Sequence, residues 1–206
     1  MLDLWLNCES LDLARLNPAH REYVYEYRRP DGQPVGSQTR YQVAQAGPGS
    51  WRVSERFSST RPGAGSGTWH TNFRYAILPE QLPRASAGYN ISYEYGTAAL
   101  AAVMVLEAGE TVELPVTLRL RREGEETLLS DAYTISHEGC TSLEIRGESV
   151  LVHRVRIDRF SEHIGTSGEA QVRRSETFKD YAPQYGWWVR EFRPGAGELV
   201  LVNVRD

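Results

Sequence analysis

The sequence predicts an all-β fold, an antiparallel meander of about a dozen strands forming one strongly curved sheet or open barrel, with a short N-terminal helix. Two observations carry this prediction. Runs in which apolar and polar residues alternate recur from Tyr23 to Val204, and a period of two is typical of half-buried strands. Short turns rich in Gly, Pro and Asp separate these runs. Such turns leave no room for the helical crossovers that parallel strands need.

The 206 residues are expected to form one domain, 1–206, because all-β barrels and sandwiches often reach this length undivided. A chain of this length can bury enough apolar surface to fold without a disulfide or a metal. The formal net charge of −4 provides no basic field for a nucleic acid or an anionic membrane. No apolar run is long enough to span a membrane as a helix. We therefore expect no nucleic-acid partner and no membrane-spanning segment.

The first element is predicted to be a helix within residues 1–18. Its apolar residues lie near helical spacing and are Leu2, Trp5, Leu6, Leu13 and Leu16. Asn17 and Pro18 then end the helix. Acidic and amide side chains interrupt the apolar residues, so the segment does not have the continuous apolar stretch of a secretion signal. The chain is therefore either cytosolic or a mature form whose leader has been removed.

Strands are predicted from Tyr23 onward. Tyr23, Tyr25 and Tyr27 share one face of the first strand. The next predicted strands are 35–44, 51–57, 69–77 and 89–95. The run 58–67 is rich in Ser, Gly and Pro and is predicted to be a hairpin tip.

The second half of the chain gives the clearest alternation. Residues 98–106 are apolar throughout and fit either a buried strand or a helix. Leu114, Val116 and Leu118 then face one way along a strand. The later predicted strands are 126–137, 141–146, 149–160, 169–178 and 199–204. Between the last two, Pro183 fixes φ and Gly186 can take a positive φ, so the pair predicts a chain reversal.

Three pieces of the C-terminal half carry a family resemblance. They are the segment 140–148, the long strand through Val155, and the hairpin 181–189, which reads YAPQYGWWV. In this order they resemble uncharacterised bacterial envelope proteins, known only as a domain of unknown function, that end in an Ala-Pro-x-x-Gly-x-x-Val hairpin. The resemblance implies export and a fold similar to the LolA/LolB lipoprotein carriers, in which a curved sheet surrounds an apolar hollow. It supplies no catalytic residues.

Two Gly-x-Trp tripeptides, 49–51 and 67–69, resemble the lipocalin signature. In lipocalins this motif opens the first barrel strand, whereas strands are predicted here before both copies. A lipocalin-like small-molecule carrier is therefore retained as an alternative.

Seven aromatic residues are the predicted ligand-binding set. Tyr and Trp rings carry polar tips that favour a partly wet cavity wall, and a curled sheet would make them converge on a lipid or another apolar ligand. The alternative is that the same rings fill the core. The seven are Tyr23, Tyr25, Tyr27, Tyr93, Tyr95, Trp187 and Trp188.

Histidines near two strand ends form the predicted metal set. Two imidazoles and two carboxylates suit zinc if the strand ends meet. The four residues are His137, Glu138, Glu162 and His163. His153 is a further polar residue on the strand face that carries Val155 and Ile157. The alternative is a core histidine bonded to a backbone carbonyl, with ordinary solvated charges at the turns.

Cys8 and Cys140 are the two cysteines of the chain. They can form one disulfide in an oxidising compartment, or be two buried thiols in the cytosol. One neighbouring histidine, His137, is a weak basis for thiol reactivity. We therefore do not expect a catalytic pair.

No motif of a known catalytic site is found in the sequence. Gly-x-Ser-x-Gly, His-Glu-x-x-His and Gly-x-x-x-x-Gly-Lys are all absent. The sequence therefore predicts a non-catalytic, extracytoplasmic (in a bacterium, periplasmic) binding or assembly protein without a cofactor. Its predicted partners are a lipid or other apolar ligand, or an envelope protein. The further alternatives are a structural partner-binding protein and a metal-dependent enzyme that uses the His and Glu set.

Overall fold

The computed structural model describes residues 8–13, 15–47, 50–59, 67–74, 78–85, 89–164 and 170–206. Within these residues the chain forms fourteen strands, one α-helix, α1 (Thr97–Met104), and one 3-10 turn, Pro183–Tyr185. The strands are β1 (Leu11–Asp12), β2 (Glu22–Arg28), β3 (Pro34–Gly47), β4 (Ser50–Ser59), β5 (Gly67–Arg74), β6 (Leu78–Ala85), β7 (Tyr89–Tyr95), β8 (Val105–Leu106), β9 (Thr111–Arg122), β10 (Glu125–Ile145), β11 (Glu148–Ile164), β12 (Ala170–Ala182), β13 (Trp187–Arg193) and β14 (Gly197–Arg205).

Twelve of these strands, all except β1 and β8, pair antiparallel into a closed barrel. Each barrel strand pairs with the barrel strands that precede and follow it along the chain. β7 pairs with β9, because α1 and β8, which lie between them in sequence, are not part of the barrel sheet. One seam joins distant parts of the sequence, where Leu201 of β14 lies opposite Tyr25 of β2. The predicted all-β antiparallel meander of about a dozen strands is confirmed, and the sheet closes fully. Lipocalin barrels have eight strands, so the strand number differs from that alternative.

Two predicted turns take the expected form. β4 and β5 pair as the hairpin predicted around 58–67, and the tip itself, 60–66, lies outside the described residues. At the second reversal, Gly186 has φ +59° and its N–H donates to Pro183 O at 3.0 Å. A Cβ at Gly186 would lie 1.7 Å from the backbone oxygen of Asn17. Glycine is therefore required both by the left-handed backbone and by the close approach of the N-terminal segment.

A small two-stranded sheet of β1 and β8, which we call the cap, is separate from the barrel sheet. Leu11 pairs with Leu106 between β1 and β8, and the N–H of Leu13 donates to Met104 O at 2.8 Å. Leu11, Leu13, Val103 and Leu106 are all buried. Residues 98–106 thus contribute both structures that their sequence allowed, a helix followed by a short strand. No helix of the described residues combines the length and apolar character needed to cross a bilayer.

The predicted N-terminal helix is not found over residues 8–13 and 15–18, where β1 and a turn lie instead. This corrects the prediction for those residues, while residues 1–7 and Ala14 are outside the described part of the chain. The physical reason is that Leu11 and Leu13 also satisfy a period of two. They are buried against β8 and its neighbours as an extended segment.

A bulge in β10 sets the position of the side chains discussed below. β10 is one continuous strand of 21 residues, whereas the sequence predicted two separate ones. Its register with β11 shifts between His137 and Gly139, and Gly139 has φ +111°. Because one residue is inserted, His137 and Cys140 lie on the same face of the sheet instead of on opposite faces.

A buried carboxylate on the outer side of the sheet joins three strands. Asp180 of β12 is fully buried. Its Oδ1 accepts from Arg154 Nε of β11 at 2.9 Å, and its Oδ2 accepts from Arg190 Nε of β13 at 2.6 Å. Two charge-assisted hydrogen bonds offset the desolvation of the carboxylate.

Candidate functional site

The first two tyrosines of the predicted ligand set belong to the packed core. Tyr23 and Tyr25 are fully buried. The Tyr23 hydroxyl donates to Tyr185 O at 2.7 Å, and the Tyr25 hydroxyl donates to Trp188 O at 2.6 Å. Burial raises the pKa of Tyr23 to about 12. These two rings tie β2 to the C-terminal hairpin and act as filled core.

Six of the seven predicted aromatic residues form two clusters, and Tyr27 lies apart from both in the wall of a cavity. Tyr25 stacks on Trp188 with ring centroids 4.1 Å apart, and Trp187 lies 6.0 Å from Tyr23. On the other side of the barrel, Tyr93 and Tyr95 lie parallel at 6.5 Å. The hydroxyl of Tyr95 donates to Pro79 O at 2.6 Å. The structure therefore brings β2 and the Trp pair together, and places the β7 pair separately.

Two cavities open inside and at one end of the barrel. The inner cavity has a volume of about 390 Å³, and its wall includes Tyr41, Glu55, Tyr133, Lys179, Trp187 and Trp188. The mouth cavity has a volume of about 560 Å³ and lies where β2 and β13 end and where β3 and β14 begin. Its wall includes Tyr27, Val35, Thr39, Phe57, Phe192 and Leu199. Glu191, Arg193 and Leu199 line both cavities, so the two are neighbours that share part of their walls.

The only lysine of the chain lies in the inner cavity wall. Lys179 is buried, and its Nζ is 3.3 Å from Glu191 Oε2. The same ammonium lies 4.8 Å from the ring centroid of Trp188. A buried cation needs a counter-charge, and an aromatic face adds further stabilisation. Lys179 is therefore already neutralised by protein groups.

A second carboxylate, that of Glu55, lies in the same wall. Glu55 is opposite Tyr41 in the β3–β4 register. Burial raises the pKa of Glu55, and the charge of Glu191 adds to the increase, while the Tyr41 hydroxyl and Lys179 oppose it. The inner cavity thus combines aromatic surface with the carboxylates of Glu55 and Glu191, the Lys179 ammonium and the guanidinium groups of Arg159 and Arg193.

One donor in this wall has no partner. Trp187 is almost completely buried, and its Nε1 makes no hydrogen bond within the described residues. An unsatisfied buried N–H costs free energy, and such groups in native proteins generally indicate a water or a ligand. The sequence predicts Trp187 as a ligand-binding residue because of its aromatic ring. The structure adds a second feature, the buried Nε1–H without a partner among the described residues.

A separate cluster of sulfur and imidazole groups lies where β10 and β11 meet the N-terminal segment. Cys8 and Cys140 form a disulfide, which is one of the two states that the sequence left open. Cys140 Sγ is 3.4 Å from His153 Nδ1, and Cys8 Sγ is 3.8 Å from His137 Nε2. The two imidazoles approach to 3.3 Å, from His153 Nδ1 to His137 Nε2. We call these four residues the Cys–His cluster.

Hydrogen bonds determine which nitrogen of each ring carries the proton. His137 Nδ1 is 3.0 Å from Leu106 O, and a carbonyl only accepts, so Nδ1–H donates. His137 Nε2 therefore presents a lone pair to the Nδ1–H of His153. Burial, and then the proximity of His137, lower the pKa of His153 to about 4. The His153 ring is consequently neutral at neutral pH.

The predicted His and Glu metal set is not brought together. Glu138 lies beside Arg156, with Oε1 3.5 Å from NH1. His137 is opposite Val155 in the β10–β11 register, and His163 lies eight positions further along β11, roughly 26 Å away in an extended strand. The side chains of Glu162 and His163 are outside the described part of the chain. His137 instead meets His153 and the two cysteines.

Comparisons with known proteins give only distant similarities. No protein-family model matches the chain, and no curated protein matches it. The hypothetical lipoprotein YmcC from Escherichia coli is 11% identical with a TM-score of 0.45, over 91% of this chain and 89% of that one.

Two further solved structures are similar at the same level. A protein from Bacteroides fragilis that is predicted to be exported and has a YmcC-like fold is 12% identical, with a TM-score of 0.40, over 90% of this chain and 95% of that one. A predicted lipoprotein from Parabacteroides distasonis is 11% identical, with a TM-score of 0.44, over 95% of this chain and 97% of that one. At such identities and TM-scores these similarities carry no conclusion about this chain.

Proposed function

We propose that the protein is a non-catalytic, extracytoplasmic binding protein whose two neighbouring cavities take a lipid with an uncharged polar head. The observation that carries the proposal is that Trp187 lines the inner cavity and that its buried Nε1 lacks a partner within the described residues. A carbonyl or ester oxygen of a ligand would accept that hydrogen bond. The acyl chain would then extend along the aromatic and aliphatic wall of the mouth cavity.

The charges of the inner cavity favour a neutral head over an anionic one. Among the described residues three cations line this wall, and each already has a protein carboxylate: Lys179 and Arg193 pair with Glu191 at 3.3 and 3.5 Å, and Arg159 pairs with Asp131 at 2.6 Å. Glu55 stands in the same wall, and Glu191 contributes to the rise of its pKa. A ligand carboxylate or phosphate would compete with these carboxylates for cations that are already paired, and would add negative charge beside Glu55 and Glu191. The predicted class is therefore an acyl ester such as a monoacylglycerol.

Two observations support a binding role in an oxidising compartment. The disulfide between Cys8 and Cys140 is of a kind that persists in secreted and periplasmic proteins, in line with the family resemblance of the C-terminal half. Among the described residues that line the two cavities there is no histidine and no cysteine. Their hydroxyl groups therefore have no imidazole base of the kind that activates a serine nucleophile.

The test is ligand binding by the full chain. Native mass spectrometry of freshly purified protein is expected to show a lipid adduct that delipidation removes. Titration of the delipidated protein with monoacylglycerol should be saturable and tighter than titration with the fatty acid of the same chain length. No adduct and no saturable binding of either lipid would overturn the proposal. Tighter binding of the fatty acid would overturn the assignment of a neutral head.

Matched variants locate the ligand. Thr39 lines the mouth cavity, so Thr39→Phe fills part of it and should weaken binding by at least about tenfold, or 1.4 kcal/mol. Gln38→Phe on the same strand adds the same ring at an exposed position and should leave binding unchanged. Trp187→Phe removes the N–H but keeps most of the aromatic surface, and should reduce the preference for the ester over the acid. Equal binding by the two phenylalanine variants would contradict this location.

A further inference from the structure

We propose that the Cys–His cluster is a redox-gated zinc site. When the disulfide is reduced, the thiolates of Cys8 and Cys140 and the imidazoles of His137 and His153 bind one Zn²⁺ in a tetrahedral arrangement. This site is independent of the lipid-binding cavities, whose walls contain none of the four residues.

The positions of the donor atoms carry the inference. Each residue offers one ligand atom, and the four atoms lie within 4.8 Å of one another. Zinc bonds of about 2.3 Å to sulfur and about 2.0–2.1 Å to nitrogen require tetrahedral edges of about 3.3 to 3.8 Å. Three edges already have these lengths: 3.3 Å between the imidazoles, 3.4 Å from Cys140 to His153, and 3.8 Å from Cys8 to His137.

The separation of the two sulfurs is the edge that has to open, and the two remaining edges, from Cys8 to His153 and from Cys140 to His137, lie within 4.8 Å. His137, Cys140 and His153 stand on the paired strands β10 and β11, so they form a fixed platform of three ligands. Cys8 lies in residues 8–10, which belong to no helix or strand. A shift of about 2 Å by this one side chain would open the sulfur–sulfur edge to its tetrahedral length.

The surroundings suit a closed structural zinc site. His137 is fully buried, and His153 and Cys140 are nearly so. His137 would coordinate through Nε2, because its Nδ1–H is held by Leu106 O at 3.0 Å. A ligand imidazole whose other N–H donates to a backbone carbonyl is the usual outer-shell arrangement, and it fixes the orientation of the ring.

The reaction balances with a dithiol as reductant. The dithiol supplies two electrons and two protons, becomes a cyclic disulfide, and converts Cys8 and Cys140 into thiols. Zn²⁺ then replaces the two thiol protons, which pass to solvent, and the proton of His153 moves from Nδ1 to Nε2 so that the Nδ1 lone pair can bind the metal. Two thiolates and two neutral imidazoles around Zn²⁺ have no net charge, so the filled site does not bury an uncompensated ion.

The experiment measures zinc in the full chain, before and after reduction. Oxidised protein, dialysed against zinc and then against buffer, is expected to retain none. Protein reduced anaerobically with dithiothreitol, desalted and given Zn²⁺ should retain about one ion per chain. Co²⁺ in place of zinc should give the visible absorption of a tetrahedral site with thiolate-to-metal charge transfer. Cys8→Ser and His153→Gln should each lower zinc retention at least about tenfold, whereas His70→Gln, at an exposed histidine, should not.

The remaining outcomes of the zinc experiment also either support or overturn the proposed site. If the reduced apoprotein unfolds, as circular dichroism would report, recovery of the β spectrum on adding zinc supports the site. A reduced chain that retains no zinc, whether folded or unfolded, overturns the proposal. So does equal retention by the wild type and His153→Gln, or cobalt absorption without the thiolate band.

Discussion

The disulfide is expected to supply a large part of the stability of this protein in an oxidising buffer. Cys8 and Cys140 are separated by 132 positions. In the chain-entropy model a cross-link of this span removes about 5 kcal/mol of conformational freedom from the unfolded chain at 25 °C. Typical total stabilities are about 5–15 kcal/mol. Loss of the bond should therefore remove a third or more of the free energy of unfolding.

The assay is urea unfolding of Cys8→Ser, Cys140→Ser and the double variant, with a chelator present to exclude metal. For a slope of about 2 kcal/mol per molar urea, the midpoint should fall by about 2–2.5 M. The two single variants and the double variant should give equal losses within about 1 kcal/mol, because removing either sulfur breaks the same bond.

Two results would refute this reasoning. A loss below about 1 kcal/mol would mean that the unfolded chain is not restrained by the bond, or that the bond is not formed in solution. A much larger loss in Cys140→Ser than in Cys8→Ser would instead show that the buried Cys140 side chain acts through packing in β10. In that case the restraint of the unfolded chain by the disulfide would contribute little to the free energy of unfolding.

Three other perturbations follow from the contacts described above. Gly186→Ala places a Cβ against the backbone oxygen of Asn17 at a left-handed φ and should lower the free energy of unfolding by about 3 kcal/mol, whereas an unchanged urea midpoint would contradict that packing. Asp180→Asn leaves two arginines around an uncharged group and should cost about 3–5 kcal/mol, and its effect should clearly exceed that of Glu126→Gln, which breaks exposed arginine pairs. Glu55 has a pKa raised mainly by burial, so the wild type loses stability relative to Glu55→Gln as the pH rises from about 4 through that raised pKa. The melting temperature of Glu55→Gln should therefore exceed that of the wild type more at pH 7 than at pH 4, and an equal difference at both would be evidence against it.

The strands of the barrel were predictable because the alternation of apolar and polar residues and the turn residues are local features of the sequence. Leu114, Val116 and Leu118 alternate along β9 and are all buried, since a strand with one buried face repeats every two residues. The reversal at Pro183 and Gly186 is likewise encoded by two residues. Closure of the sheet was not predictable, because the pairing of β14 with β2 depends on the curvature summed over all twelve strands.

The Cys–His cluster was only partly predictable from local sequence patterns. Cys140 lies opposite His153 because Arg146 and Gly147, both at positive φ, form the two-residue turn of that hairpin. The strand bounds predicted from the sequence put this turn one position later, at residues 147–148. A turn at residues 146–147 would have predicted that Cys140 lies opposite His153. The approach of His137 depends on the bulge at Gly139, which an isolated glycine in a strand suggests but does not locate, and the approach of Cys8 depends on the cap, which pairs distant parts of the chain.

The seam between β2 and β14 also determines how this molecule reaches its native state. Leu201 must find Tyr25 across 176 positions of chain, so the last ladder to form is also the one with the greatest separation in sequence. High contact order slows folding, because loop-closure entropy is lost before the contacts reward it. During synthesis the edge of β2 remains unpaired until β14 emerges, and an open strand edge is a site for intermolecular pairing. The barrel is therefore most exposed to aggregation just before its final strand docks, and we expect its refolding to be slow and dependent on protein concentration.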